Sequence, residues 1–213
     1  MSKQLRVVLA QINLLVGDIS ANTERVIETA RRAMAEQRAD IVAFPELTLT
    51  GDPPEDLLLR ESMTKRIQRA LDLLLAANLD VHLIVGHPLR EDGRLYNALS
   101  VIRGGRILAT YRNQYLPNYQ VFDEDRYFEP GSSPCIVEIG GIPVGMTICE
   151  DMWEPDPTRQ ALDAGARLLI NINASPFDTQ KLEERKRLLH KRASAHSLPI
   201  LYVNLVGGQD ELV

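Results

Sequence analysis

Two cysteines, four histidines and one tryptophan are all that 213 residues hold of these types. Cys135 and Cys149 cannot build a disulfide framework, and so few cysteines fit a reducing, cytoplasmic setting. None of the histidines has metal-ligand spacing with either cysteine, which argues against a zinc site. No apolar run approaches the roughly 18 residues of a membrane span. The N-terminus runs straight into a strand-like segment without the features of a signal peptide. Positive charge is not in excess: 24 Lys and Arg stand against 29 Asp and Glu, a net charge of −5. That balance speaks against nucleic acid as a partner. The densest basic run, "KLEERKRLLHKR", interleaves glutamates and leucines at helical spacing and reads as a solvated helix face. Neither G-x-G-x-x-G nor a P-loop is present.

What is present is an ordinary globular composition, 45% hydrophobic and 25% charged, patterned as one α/β domain. "LRVVLAQIN", "ADIVAFPEL" and "VHLIVG" are strand-like. Between them lies a helix carrying Val26, Ile27, Ala30, Ala33 and Met34, with Ser20 or Asn22 as N-cap. The second connection predicts one long helix over 55–78. "LYNALSVIRGGRILATY" and "CIVEIGGIPVGMTIC" each read as two strands about a Gly-Gly turn. Helix and strand then alternate through "DPTRQALDAGA", "RLLININA", "KLEERKRLLHKRASAH" and "PILYVNLVG". Hairpins inserted in an alternating chain predict mixed rather than purely parallel sheets. "GGQDELV" looks like the start of another element, so the sequence reads as a C-terminally incomplete piece of a longer chain.

Reacting groups in α/β folds gather beyond strand ends. Glu46, in "FPEL", is a carboxylate after an apolar strand, where burial would raise its pKa and suit it to general-base work; an exposed loop glutamate is the competing reading. Cys149, in "GMTICEDMW", sits at a strand-to-turn elbow that can present a thiolate, with the following N–H aimed at an oxyanion. A small buried hydrophobe is the alternative there. Cys135 has no such surroundings and reads as structural. His87 is a conceivable base for Cys149, though no local signature supports a Cys-His pair. "NASPF" and "YRNQYLPNY" are the remaining polar strand ends.

"FPELTLTGDPPEDLL", "YRNQYLPNYQVFDEDRYF", "GMTICEDMW" and "NINASPF", in this order, resemble the nitrilase superfamily of C–N hydrolases, and more closely the N-terminal glutaminase domains of bacterial glutamine-dependent NAD⁺ synthetases. The resemblance runs from the first strand to the last residue. It implies a four-layer αββα sandwich, L-glutamine as substrate, and a downstream synthetase domain that uses ATP and Mg to accept the ammonia. No cofactor is implied for the present segment, and homo-oligomers are usual in the family. Cys149 is implied as nucleophile and Glu46 as proton shuttle. Tyr119 and Phe122 resemble positions lining the glutamine pocket, and Glu150, Ser175 and Lys181 positions binding the substrate's α-amino and carboxylate ends. The family's Lys-x-x-Leu-Pro pattern puts its lysine at position 113, where this sequence has Asn113. Arg112 next door would point to the opposite strand face. The resemblance therefore implies a glutaminase with an impaired triad. A stand-alone amidase and a non-catalytic docking or regulatory module are the alternatives.

Overall fold

The computed structural model describes residues 4–118 and 123–208. Strands β1 (Val7–Leu9), β2 (Ile41–Ala43), β3 (His82–Glu91), β4 (Arg94–Arg103) and β5 (Arg106–Arg112) form one sheet in chain order. The first three are parallel, because helices α1 (Ile19–Arg32) and α2 (Glu61–Ala76) carry the chain back between them; β3–β4–β5 is an antiparallel meander. The second sheet contains β6 (Cys135–Ile139), β7 (Ile142–Ile148), β8 (Leu168–Asn173) and β9 (Ile200–Asn204). Here β6–β7 is a hairpin, and helices α3 (Pro155–Asp163) and α4 (Lys181–His196) make the parallel crossovers β7–β8–β9. Both Gly-Gly turns have positive φ at each glycine, the backbone that two-residue hairpins require.

Three apolar clusters fix the layers. Ile41, Ala43, Ile84, Leu99 and Val101 of the first sheet pack on Met146, Ile148, Ile170, Ile172 and Val203 of the second. Val26, Ala30, Met63, Ile67 and Leu74 of α1 and α2 cover the outer face of the first sheet. Ala161, Leu188 and Leu189 of α3 and α4 pack on the outer side of the second. The result is the expected mixed-sheet αββα sandwich. No residue of α4 is fully buried, in keeping with its solvated, charged face. Among the described residues no helix is long and apolar enough to cross a membrane.

Two local expectations are corrected. The α1 cap is Asp18, whose carboxylate accepts from the Ala21 N–H, rather than Ser20 or Asn22. Asn22 is buried and ties the carbonyls of Leu15 and Leu49 with its side-chain amide. The predicted 55–78 helix is broken: Glu55–Leu59 is a 3-10 turn, Arg60 is extended, and α2 starts at Glu61. The two parts bury against different partners. Leu58 packs on Leu47, Leu95 and Phe128, whereas Met63, Ile67 and Leu74 face the sheet.

Candidate active site

The segment after β2 curls back over the first sheet. Leu47 adopts positive φ there, and Gly86 of β3 lies so close that a Cβ would come within 2.6 Å of the Leu47 nitrogen. The Glu46 N–H donates to the Asn173 carbonyl at 3.3 Å, pinning this loop to the end of β8 in the other sheet. The Glu46 side chain is thus turned inward and is only 2% exposed. Its Oε1 accepts from Asn97 Nδ2 of β4 at 2.7 Å, and its Oε2 from the Ala174 N–H at 3.0 Å. Burial raises its pKa from 4.5 to about 7, against the lowering effect of the Asn97 and Ala174 hydrogen bonds and of the neighbouring Cys149 thiol.

Cys149 follows directly on β7. Ile148 is still extended, but Cys149 turns to φ 39°, a left-handed backbone that costs a non-glycine residue energy and re-aims its side chain. The thiol lies beside Glu46, and the two groups act on each other's titration. Burial, and then the negative charge of Glu46 and Glu124, push its pKa well above the ordinary thiol value. Cys135 is also buried, which takes its thiol up to about 11, but no carboxylate acts on it. Of the two cysteines, only Cys149 has carboxyls acting on its thiol. His87 is engaged elsewhere, with Ser100 Oγ at 2.8 Å and the Pro88 carbonyl at 3.1 Å.

Asn113 lies one residue past β5, opposite Asn97: its N–H donates to the Asn97 carbonyl at 2.8 Å. Directly opposed residues project to the same sheet face, which here is the Glu46 face. Asn113 is fully buried, and neither side-chain amide atom has a hydrogen-bond partner. Arg112 points the other way, as strand alternation requires. It pairs with Glu91 and stacks 5.1 Å from the Tyr96 ring.

Two carboxylates were not singled out from the sequence. Asp151 is fully buried in the turn after Cys149. Its Oδ1 accepts from the N–H groups of Gln114 and Tyr115, both at 3.0 Å, and its Oδ2 from Tyr111 Oη at 2.7 Å and the Ile148 N–H at 3.0 Å. It clamps the loop bearing Asn113 onto the turn bearing Cys149. Burial raises it to about 7 despite those four donors. Glu124 shares Asn97 Nδ2 with Glu46, at 3.3 Å, and burial together with the charge of Glu46 holds its pKa well above the carboxylate range. Its position in "FDEDR", among three acids, gave no sign of which one turns inward. Among the described residues no cation pairs with Glu46, Glu124 or Asp151.

The other expected residues are partly gathered. Ser175 lines a pocket of about 300 Å³ beside Ala174, held by backbone bonds to the Asn204 side chain at 2.9 and 3.0 Å. Glu150 lies next to Cys149, and its charge acts on the thiol. Lys181, at the start of α4, stacks 5.2 Å over the Trp153 ring and is not among the residues lining that pocket. Tyr119 and Phe122 lie outside the described residues.

A buried cysteine at a strained elbow, beside a buried glutamate from another strand end, is the arrangement to set against known families. The family model described as carbon-nitrogen hydrolase covers residues 6–213. The chain belongs to the carbon-nitrogen hydrolase family. Within that family it is 46% identical over 211 residues to a glutamine-dependent NAD(+) synthetase of Xanthomonas campestris, covering 98% of this chain and 38% of the relative. The corresponding enzyme of Aquifex aeolicus is 44% identical, with 98% and 37% covered. The chain thus spans less than two fifths of the length of these relatives. Among solved structures, the glutamine-dependent NAD⁺ synthetase of Acinetobacter baumannii superimposes with a TM-score of 0.94 at 39% identity, over 98% of this chain and 40% of that one. An amidase from Nesterenkonia sp. shares the fold at a TM-score of 0.89 and 24% identity, over 99% and 80% of the two chains.

Proposed function

We propose that this chain is the glutaminase domain of a glutamine-dependent NAD⁺ synthetase, acting in the cytoplasm and passing ammonia to an ATP-dependent synthetase domain that amidates deamido-NAD⁺. The observation that carries the reading is the buried Cys149 beside the buried Glu46, each acting on the other's titration, in a chain whose relatives bear that name.

The chemistry follows from the two groups. Glu46, with a pKa near 7, accepts the thiol proton as Sγ attacks the side-chain amide carbon of L-glutamine. The N–H of Glu150 helps hold the oxyanion. As the C–N bond breaks, Glu46 returns the proton to nitrogen and ammonia departs, leaving a thioester on Cys149. Glu46 then takes a proton from water as the water attacks the thioester, and glutamate leaves with the thiol restored.

Asn113 impairs this sequence. A lysine there would stabilise both thiolate and oxyanion, while the amide brings no charge, and losing such a group costs about 10²–10³ in rate. The same deficit supports a second reading, a non-catalytic module that keeps the fold. Ammonia release from a panel of small amides by the full-length protein separates these readings and tests the first. A marked preference for L-glutamine, abolished by Cys149→Ala, supports it. Equal release from unrelated amides points to a general amidase instead. No release, with Cys149 labelled by thiol reagents no faster than Cys135, points to the module.

A further inference from the structure

Asn97 of β4 and Asn113 stand opposite each other, and both are fully buried. Asn97 Nδ2 donates to Glu46 Oε1 at 2.7 Å and to Glu124 Oε2 at 3.3 Å, so one amide holds two carboxyls together. The Asn97 Oδ1 has no hydrogen-bond partner, and neither amide atom of Asn113 has one. Three unbonded buried polar atoms next to two carboxyls carry a cost that a bound ligand would remove.

The charges present decide what that ligand is. The negative charge of Asp151 acts on both Glu46 and Glu124, and Glu46 and Asp52 add theirs on Glu124, each disfavouring the ionised form. An anion would add to that repulsion, whereas a cation relieves it. Among the described residues no group of three or more His, Cys, Asp or Glu side chains could hold a metal ion, so the cation must be one recognised through hydrogen bonds. A primary ammonium ion meets this condition. It brings one charge and three N–H donors to a place where two carboxyls and two amide oxygens supply acceptors.

Glu124 also gives the place a way in. It lines a pocket of about 200 Å³ whose described walls carry five carboxyls, Asp52, Glu55, Asp56, Asp123 and Glu124, against one guanidinium, Arg126. Arg126 is engaged by Asp56 at 3.1 Å. A cleft lined by one sign of charge raises the local concentration of the opposite ion.

We propose that Glu46, Glu124, Asn97 and Asn113 form a binding site for ammonium or a small primary alkylammonium, which enters past Glu124 and supplies the positive charge that the side chain at position 113 does not. The bound cation favours the Cys149 thiolate and the oxyanion formed from it. The effect on turnover rests on the glutaminase reading above; the binding of the cation does not.

Two rates in the full-length protein test this: glutamate formation from L-glutamine, and alkylation of Cys149 relative to Cys135. Each is measured in sodium phosphate with added methylammonium chloride, and with sodium, potassium or tetramethylammonium chloride at equal ionic strength. Methylammonium is expected to raise both rates about 10-fold, part of the roughly 10²–10³ that a fixed cation supplies, and the other salts neither. Asn113→Lys, which tethers an ammonium of its own, should be fast without methylammonium and indifferent to it. Asn113→Leu, which keeps the volume and lacks the acceptor, should stay slow and lose most of the response. A response to potassium or tetramethylammonium as large as to methylammonium would overturn the assignment, because N–H donors would then play no part. So would an undiminished response in Asn113→Leu, which would put the cation elsewhere. Glutamine turnover that ignores methylammonium overturns the cation site and leaves the glutaminase reading standing. Faster alkylation by methylammonium without any turnover upholds the site and overturns that reading instead.

Discussion

A buried primary amide with neither atom bonded costs about 1–3 kcal/mol, and Asn113 carries that cost while facing the Glu46 side of the sheet. Its presence is not explained by stability. Asn113→Leu, similar in volume and free of polar atoms, should raise the unfolding free energy by about 1–2 kcal/mol in urea titrations. A loss of stability would mean that the amide is satisfied in a way the packing does not reveal. Asp151 is the opposite case, a carboxylate with all its acceptor positions in use. Tyr111→Phe removes one donor and should destabilise by about 1–3 kcal/mol, leaving the hydrogen bonds of Gln114 and Tyr115 in place. Equal stability of the variant would show that the Tyr111–Asp151 bond contributes nothing. Both residues lie in stretches whose family likeness is plain in the sequence, yet neither environment could be read there. Burial and partnering depend on which strand ends meet.

The elements were more legible than their ends. Both Gly-Gly hairpins follow from turn chemistry that only glycine satisfies easily, and the alternation of helix and strand was readable from apolar spacing. The break at 55–60 has a spacing signal of its own: Leu58 stands five residues before Met63, out of step with the stripe of Met63, Ile67, Leu71 and Leu74, and it packs on different partners. The loop carrying Glu46 depends on a feature of another element, the missing side chain at Gly86. Gly86→Ala should push the Leu47 and Pro45 backbone away, since the added Cβ would stand 2.6 and 2.9 Å from the Leu47 nitrogen and the Pro45 oxygen. The expected outcome is destabilisation of roughly 2 kcal/mol with a loss of Cys149 reactivity larger than that seen at Cys135. Thermal melting and differential alkylation check the two halves separately.

On the scale of the whole molecule, the sandwich gathers carboxyls where its strand ends converge, and described cations offset none of them. Glu46 moves from 4.5 to about 7 on folding, and Asp52 and Glu124 shift in the same direction. A carboxyl that holds its proton more tightly when folded favours folding at low pH. That contribution is complete below about 4.5 and is lost as pH rises through about 7. For Glu46 alone it amounts to roughly 3 kcal/mol. Stability should therefore fall between pH 5 and 8, and Glu46→Gln should flatten the fall; an unchanged slope in that variant would remove Glu46 as its source. The layered architecture itself was open to sequence reading because the strand patterns and the family motifs agree. The carboxyl cluster was not, since its members come from separate stretches of the chain.

The central claim is that this site is built for Cys–Glu amide hydrolysis and lacks one positive charge at position 113. The most direct measurement is ammonia release from L-glutamine by the full-length protein and by its Asn113→Lys variant under identical conditions. The variant should be faster by about 10²–10³-fold, with a lower apparent pKa for Cys149 alkylation. Equal rates in the two proteins would contradict it.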